Sequence, residues 1–554
     1  MNTHWSERRC LAWAAVAGLL VATGIAPAVV AETAVAPVDA PHAIARDSAS
    51  SGQAAAESHF DVFELRVLGN TTLPAVEIER AVYGFLGPGK TIADVEAARQ
   101  SLERTYHNAG YGSVFVDIPE QQVEEGVVRL RVTEGRLDRI RVTGARYFSN
   151  RQIRAALPAV APGKVLNVPE LQNELANVNR LTGDRQVVPV LKAGQTPGAV
   201  DLELKVNDTL PLHGSVEVNN RYSAGTPRTR VSGTLAYSNL FDAQQAASLQ
   251  YQTAPEDPAK VKAGVATYMF RLADLPQTTF TLYAVNSQTD VAALGTLSVL
   301  GNGHIYGTRA IQALPSGQNF VNSLTFGVDY KDFLENIQIS STESQVTPIH
   351  YLNWSLAYAA TLSSSHASTD FSVAANFGVR RFVNETEEFE NKRFTGAPNY
   401  FYVRASAQQV YRLSSSWELY GGLTGQVTED PLVSNEQLAI GGADTVRGYL
   451  EASVLGDYGL YGSVEIRQLW PTRLFRLSGD PAYFFVFYDA GLVNIYDPLP
   501  GQISRATIAS FGAGLHVGAW HGLSLDLDWA RALKDAPSVQ QGDSRALLDM
   551  RYAF

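Results

Sequence analysis

Cysteine is almost missing from this sequence. Cys10 is the only one in 554 residues, and it sits inside an apolar leader, preceded by Glu7, Arg8 and Arg9 rather than by the small and aliphatic residues a lipoprotein cut requires. The rest of the chain has no thiol, which excludes disulfides, thiolate metal sites and cysteine nucleophiles and suits a chain that crosses an oxidising compartment unfolded. Charge is also scarce, at 18% of residues, and the net charge of −11 argues against a nucleic-acid partner. The apolar content of 45% with a mean hydropathy of −0.08 is too low for a bundle of membrane helices. The ten histidines are scattered, and none stands in a triad context. His521 upstream of Gly542-Asp543-Ser544 reads as an accident beside a turn, and no metal cluster appears. No enzymatic site, metal or cofactor is therefore expected.

Gly84-Phe85-Leu86-Gly87-Pro88-Gly89-Lys90-Thr91 satisfies the phosphate-loop pattern. It follows a helical pattern instead of a buried strand, and Pro88 removes a backbone N–H from any phosphate cradle. A loop between two helices is the better reading.

A chain of this length holds more than one unit. Residues 1–31 read as a secretory signal peptide: His4, Arg8 and Arg9 precede an apolar run from Leu11 to Val30, with small residues before a cut after Ala31. Residues 32–59 are rich in Ala, Ser and Pro and read as a flexible linker. From 60 to 135 the pattern is strand, helix, helix, strand, strand. Phe63, Leu65 and Val67 alternate, a short helix runs from Val76 to Phe85, and a second from Asp94 to Ala109. The second starts on a Thr91/Asp94 capping box, puts Val95, Ala98, Leu102 and Tyr106 on one face and stops at Gly110. Strands follow at Val114–Ile118 and Val127–Val132. The pattern repeats over 136–208, with a strand at Ile140–Val142, a helix capped by Ser149, a helix at Pro169–Leu181, and strands at Val187–Leu191 and Val200–Val206. This is an internal repeat of about seventy residues. With Gly69-Asn70 and Gly144 after each first strand and Gly110-Tyr111 before a later one, each unit resembles the polypeptide-transport-associated (POTRA) domain.

From 209 to 554 helical periodicity gives way to segments that alternate with period two, and no further helix is expected. Ala546, Leu548, Met550, Tyr552 and Phe554 share one face of the last segment, opposite Asp549 and Arg551. Leu523, Leu525, Leu527 and Trp529 oppose Ser524, Asp526 and Asp528 in the one before. One face suits lipid and the other water. Such segments lie near 213, 229, 245, 261, 277, 303, 322, 350, 370, 400, 416, 458, 481, 505, 523 and 544. Their spacing fits tilted membrane strands of roughly 9 to 11 residues. A soluble sandwich is disfavoured because the apolar face persists to the terminal Phe554. The expected fold is a membrane all-β one, a 16-stranded transmembrane β-barrel preceded by two small α+β POTRA domains.

The stretch 434–457 is read as the longest unpaired one. It contains Gly441-Gly442 and then Val446-Arg447-Gly448-Tyr449; Glu465-Ile466-Arg467 follows on the next strand. Phe487, Asp489 and Gly491 lie on one face of a later strand, so the carboxylate should point inward. An arginine on a glycine-flanked loop can thread a narrow lumen and take a carboxylate bidentately. These motifs resemble those of the two-partner secretion transporters, the family of the haemolysin and filamentous-haemagglutinin secretion proteins. Asn219-Asn220-Arg221-Tyr222, placed on the first strand, and Tyr237-Ser238-Asn239-Leu240-Phe241, placed on the second, are similar to the family's barrel entry.

The resemblance implies that the loop folds into the lumen, that Arg447 meets Asp489 on the thirteenth strand, and that Glu465 and Arg467 are lumenal. It implies a secreted (TpsA-type) partner protein, a β-helical adhesin or cytolysin, caught by the POTRA pair and passed through a barrel acting as a monomer in outer-membrane lipid. The plug helix common in the family finds only a weak counterpart near His42–Ala49. The rival reading is an insertase for other barrels, which usually has three or more POTRA units where this chain has room for two. A passive porin would need no repeats.

Overall fold

Alternation with period two buries one face of a strand and exposes the other, and most of this chain obeys it. The computed structural model describes residues 59–554 apart from 181, 197, 290, 295–296, 318, 339–343, 471–481 and 521. The expected signal peptide, linker and weak plug segment, and His521, lie outside the described residues. Two compact units result, one ending at Pro211 and the other spanning Leu212–Phe554.

In the first unit each repeat builds a three-stranded sheet of the same topology. Glu64–Leu68 runs parallel to Val127–Glu134, which pairs antiparallel with Val114–Asp117. Arg136–Thr143 runs parallel to Ala199–Asp208, which pairs antiparallel with Arg185–Ala193. Helices Ala75–Val82 and Ile92–Asn108 cover the first sheet; Asn150–Ala155 and Val168–Arg180 belong to the second. The Thr91/Asp94 capping box forms, and Val95, Ala98, Leu102 and Tyr106 are buried. Ser149 caps its helix by accepting from the Gln152 N–H.

The glycine after each first strand has the same cause in both repeats. A Cβ on Gly69 would lie 2.4 Å from the Val132 carbonyl oxygen, and one on Gly144 would lie 2.3 Å from that of Val206. The phosphate-loop look-alike is not simply a loop: Gly87–Lys90 forms a short strand paired with Phe60–Val62. A segment paired in a sheet, with no N–H at Pro88, does not form the phosphate cradle.

The second unit is a closed barrel of sixteen antiparallel strands. The first four are Leu212–Asn219, Arg230–Leu240, Gln245–Thr253 and Lys262–Leu272, followed by Leu275–Ser287, Asn302–Ala313, Phe320–Gln338 and Ser344–Ser363. The ninth to twelfth are Ala367–Gly378, Phe401–Arg412, Trp417–Thr428 and Tyr458–Leu469; the last four are Tyr483–Asn494, Arg505–Trp520, Leu523–Ala532 and Ser544–Ala553. The last strand closes on the first with Asp549 opposite Asn219 and Ala553 opposite Ser215. Val464, Ile466, Val486, Tyr488, Phe511 and Trp529 are exposed on the outer face, the apolar band that hydrocarbon requires.

Three expectations need correction. A helix does occur among the barrel loops, Thr386–Lys392. Its buried Phe389 docks it into a tertiary core, which a seven-residue segment does not announce as periodicity. The stretch 434–457 is not unpaired, because Leu438–Ile440 and Val454–Gly456 zip into a two-stranded ribbon. Finally, only Asn219 of Asn219–Tyr222 lies on the first strand, since the ladder with the second strand ends at the Asn219–Arg230 pair.

Candidate functional site

On the thirteenth strand Phe485, Phe487, Asp489 and Val493 are buried, while Phe484, Val486 and Tyr488 are exposed. Alternation thus puts a single carboxylate on the lumenal face among aromatic rings. The register sets Glu465 of the twelfth strand opposite Phe487 and Ser463 opposite Asp489. On the fifteenth strand Asp528 stands opposite Gly514 of the fourteenth.

The loop that reaches this face rises on its ribbon and turns at Gly441-Gly442, where the Gly441 N–H donates to Thr445 Oγ1 at 2.8 Å. Val446 and Tyr449 are fully buried, and they join a core with Leu438, Ile440, Val493 and Ile508. Gly448 has φ +94°, a left-handed conformation that side chains disfavour. Gly491 leaves the gap in the wall that the loop fills: a Cβ there would come within 3.0 Å of Ile440 Cδ1 and 3.4 Å of Val446 Cγ2.

Arg447 is the hub. Its Nε donates to Asp489 Oδ2 at 2.8 Å, its Nη2 to Oδ1 at 2.9 Å and its backbone N–H to Oδ2 at 3.0 Å. Nη2 also reaches Ser463 Oγ at 3.0 Å and Glu465 Oε1 at 2.8 Å, and Nη1 lies 3.6 Å from Asp528 Oδ2. The guanidinium carbon stands 3.4 Å from the Phe487 ring centre and 5.6 Å from that of Phe485. The second Glu465 oxygen takes Arg467 at 2.7 Å, and the Arg467 guanidinium lies 4.4 Å from the Tyr420 ring. A bidentate, buried contact of this kind is geometrically specific, and removing one partner strands the other charge.

The rest of the motif is tethered as well. The Tyr449 hydroxyl lies 2.9 Å from the Ala509 carbonyl and 2.8 Å from that of Lys534, and Arg545 donates to the Tyr449 carbonyl. Arg221, just past the first strand, pairs with Asp444 and lies 3.5 Å from Glu451, while the Glu451 N–H donates to the Tyr222 carbonyl at 3.1 Å. Within the Asn219–Tyr222 motif, Arg221 and Tyr222 therefore hold the loop, while Asn220 bonds to the last strand at the Ala546 carbonyl and the Leu548 N–H.

The residues of the loop and wall motifs, Val446, Arg447, Gly448, Tyr449, Phe487, Asp489, Gly491, Glu465 and Arg467, lie in or against this one cluster; Tyr237–Leu240 lie on the second strand, outside it, and Phe241 follows the strand's end. Sequence reasoning missed Ser463, Asp528, Phe485 and the loop-root carboxylates Glu436 and Asp457. Asp528 already stood on the polar face of an alternating strand, so alternation could have found it. Ser463 shares the lumenal face of Glu465 by the same rule.

The chain is similar to known proteins over most of its length. The profile of the family described as haemolysin secretion/activation protein ShlB/FhaC/HecB matches residues 198–517, and that of the ShlB-type POTRA domain matches 60–135. The outer membrane transporter CdiB of Dickeya dadantii (strain 3937) is 24% identical over 491 residues, covering 85% of this chain and 82% of that one. The heme/hemopexin transporter protein HuxB of Haemophilus influenzae is 23% identical over 490 residues, covering 86% and 84%. The solved structure of CdiB from Escherichia coli superposes with a TM-score of 0.59 at 18% identity, covering 92% of this chain and 93% of that one.

Proposed function

The chain belongs to the haemolysin secretion/activation protein family of the ShlB/FhaC/HecB type, and from that premise we propose how its parts divide the work of carrying a partner protein across the outer membrane. It is an outer-membrane translocation barrel with POTRA units in the periplasm. The POTRA pair takes up the partner unfolded, by β-augmentation along a free sheet edge such as Glu64–Leu68 or Arg185–Ala193. The barrel, working as a monomer, conducts it outward. No nucleotide is available in the periplasm, so folding of the emerging chain at the surface supplies the driving force. A large β-helical adhesin or cytolysin suits that mechanism.

The observation that carries this reading is Arg447 on Asp489, 7% and 0% exposed, inside the barrel. A loop bonded to the inner wall lies on the export path or beside it. The Arg447 contact thus acts as a conformational control of that path. No step of this cycle calls for a catalytic residue.

The test is a proteomic comparison of culture supernatant and cell surface with and without this gene, alongside outer-membrane barrel levels. Loss of one or a few large proteins with other barrels unchanged is expected. A general fall in barrel proteins would transfer the assignment to an insertase.

A further inference from the structure

At the long-loop end of the barrel the lumen is packed rather than open. Inward side chains of strands four to eight and ten, Val265, Ile305, Phe333 and Tyr351 among them, form one core with Phe389 and Tyr400 of the loop 379–400 and with Leu432 and Val433 at the root of the arginine loop. Arg447 holds the opposite side of the lumen, on strands twelve, thirteen and fifteen. A polypeptide leaving by this mouth must displace one filling or the other.

Two carboxylates at the loop root organise the packed side. Glu436, 2% exposed, pairs with Lys331 and accepts from the hydroxyls of Tyr351 at 2.5 Å and Tyr402 at 2.8 Å. Asp457, 0% exposed, accepts from the Leu432 N–H at 3.0 Å, Gln437 Nε2 at 2.8 Å, the Tyr496 N–H at 2.7 Å and Arg393 Nη2 at 3.1 Å. Of these four donors only Arg393 comes from the loop 379–400. Arg393 also donates to the Tyr496 carbonyl at 2.5 Å, so one side chain ties that loop to both the arginine loop and the loop after strand thirteen.

The opposite end of the loop 379–400 is held on strand eight. Asn384 Oδ1 accepts the Leu352 N–H at 2.8 Å, and Glu388 accepts the His350 N–H at 2.9 Å. These two bonds satisfy backbone groups beyond the point where strand nine ends, opposite Asn353.

We propose that the loop 379–400 is a gate at the barrel mouth, hinged on strand eight and latched by Arg393 on the Asp457–Tyr496 knot, and that it leaves the knot to open the path on the side of the lumen away from Arg447. The chemistry makes Arg393 the detachable partner. When it goes, Asp457 keeps three hydrogen bonds from neutral donors, and the guanidinium gains water. The alternative break, at Glu436, would part that carboxylate from Lys331 and from both tyrosine hydroxyls at once. The gate rests on the export reading, but its test reads ionic current, which registers whether or not the cargo has been identified.

Thr395 and Asp497 offer the means. Both are exposed, they sit beside the latch without belonging to it, and Thr395 Oγ1 lies 3.4 Å from Asp497 Oδ2. The mature part of the chain brings no competing cysteine. Protein beginning at Glu32, which leaves Cys10 out, and carrying Thr395→Cys, Asp497→Cys and Arg393→Leu is reconstituted in planar lipid bilayers, with heat-modifiable gel mobility as the check that the barrel is folded. Under dithiothreitol, conductance should rise several-fold over wild type; oxidation of the same sample should return it to the wild-type level, and reduction should restore the rise. A folded Arg393→Leu barrel with wild-type current would overturn the latch. An oxidised staple that conducts as freely as the reduced one would overturn the gate.

Discussion

The guanidinium of Arg447 is held against the Phe487 ring, its carbon 3.4 Å from the ring centre, while Asp489, two residues along the same strand, takes it in the plane. A ring face and a planar fork of donors suit a guanidinium and not an ammonium. Arg447→Ala strands Asp489, at a cost of about 3 to 5 kcal/mol in loop anchoring, less where water enters the lumen. Export of the protein missing from the deletion strain's supernatant should collapse while the barrel still shows heat-modifiable mobility. Arg447→Lys keeps the charge and loses the fork, and it should export little better than alanine. Full export from the lysine variant would mean that charge alone suffices.

The acceptors around Arg447 are unequal. Asp489 is bidentate at 2.8 and 2.9 Å, whereas Asp528 stands 3.6 Å away. Asp489→Asn should therefore resemble Arg447→Ala, and Asp528→Asn should cost less and leave export nearly intact. Measuring both variants in one secretion assay checks the ranking; equal defects would mean that Arg447 works through the summed field of the carboxylates.

Two glycines test the seating of the loop without touching charge. At Gly448, φ +94° makes Gly448→Ala cost about 1 to 3 kcal/mol in backbone strain. At Gly491 the added bulk meets Tyr461 Cβ at 2.9 Å and Ile440 at 3.0 Å, so Gly491→Val should unseat the ribbon more thoroughly. Cleavage near the exposed Asp444 by an Asp/Glu-directed protease should quicken in both variants, more so for Gly491→Val. Unchanged cleavage would show that the wall yields instead.

Strand positions were legible because alternation is a local signal. The inward face of the thirteenth strand could be read from Phe487, Asp489 and Gly491 before any contact was known. Arg447 and Asp489 were legible as partners through motif resemblance joined to that alternation. The roles of Glu436 and Asp457 were not. Glu436 ends a single 3-10 turn, Ser434–Glu436, and Asp457 sits in a bend between strands, so neither has a period that tells inside from outside, and their partners Lys331, Tyr351, Arg393 and Tyr496 are scattered along the chain. The helix Thr386–Lys392 escaped for a related reason, since its burial depends on Tyr351 and Tyr400 and not on its own sequence.

Glu134 gives the periplasmic unit an acid-sensitive joint. Its carboxylate accepts from the Thr71 N–H at 2.7 Å, the Thr71 hydroxyl and the Thr72 hydroxyl at 2.6 Å. It also pairs at 3.0 Å with Arg136, which opens the second repeat's sheet and donates to Thr71 Oγ1 at 2.7 Å. Burial pulls the Glu134 carboxyl up, but the hydrogen bonds from Thr71 and Thr72, followed by the Arg136 charge, outweigh it and hold the group below its ordinary range. A folded value below the unfolded one means stability that is present above the unfolded value of about 4.3 and lost as pH falls through the folded value. Helix ellipticity reports mainly on this unit, because the described barrel holds one short α-helix. Thermal unfolding followed by that signal should shift down in wild type between about pH 6 and pH 3, across the reference carboxylate range. Glu134→Gln should melt lower at neutral pH and lose less on acidification, because its amide has no proton to gain. Parallel pH profiles for the two proteins would place the acid sensitivity elsewhere.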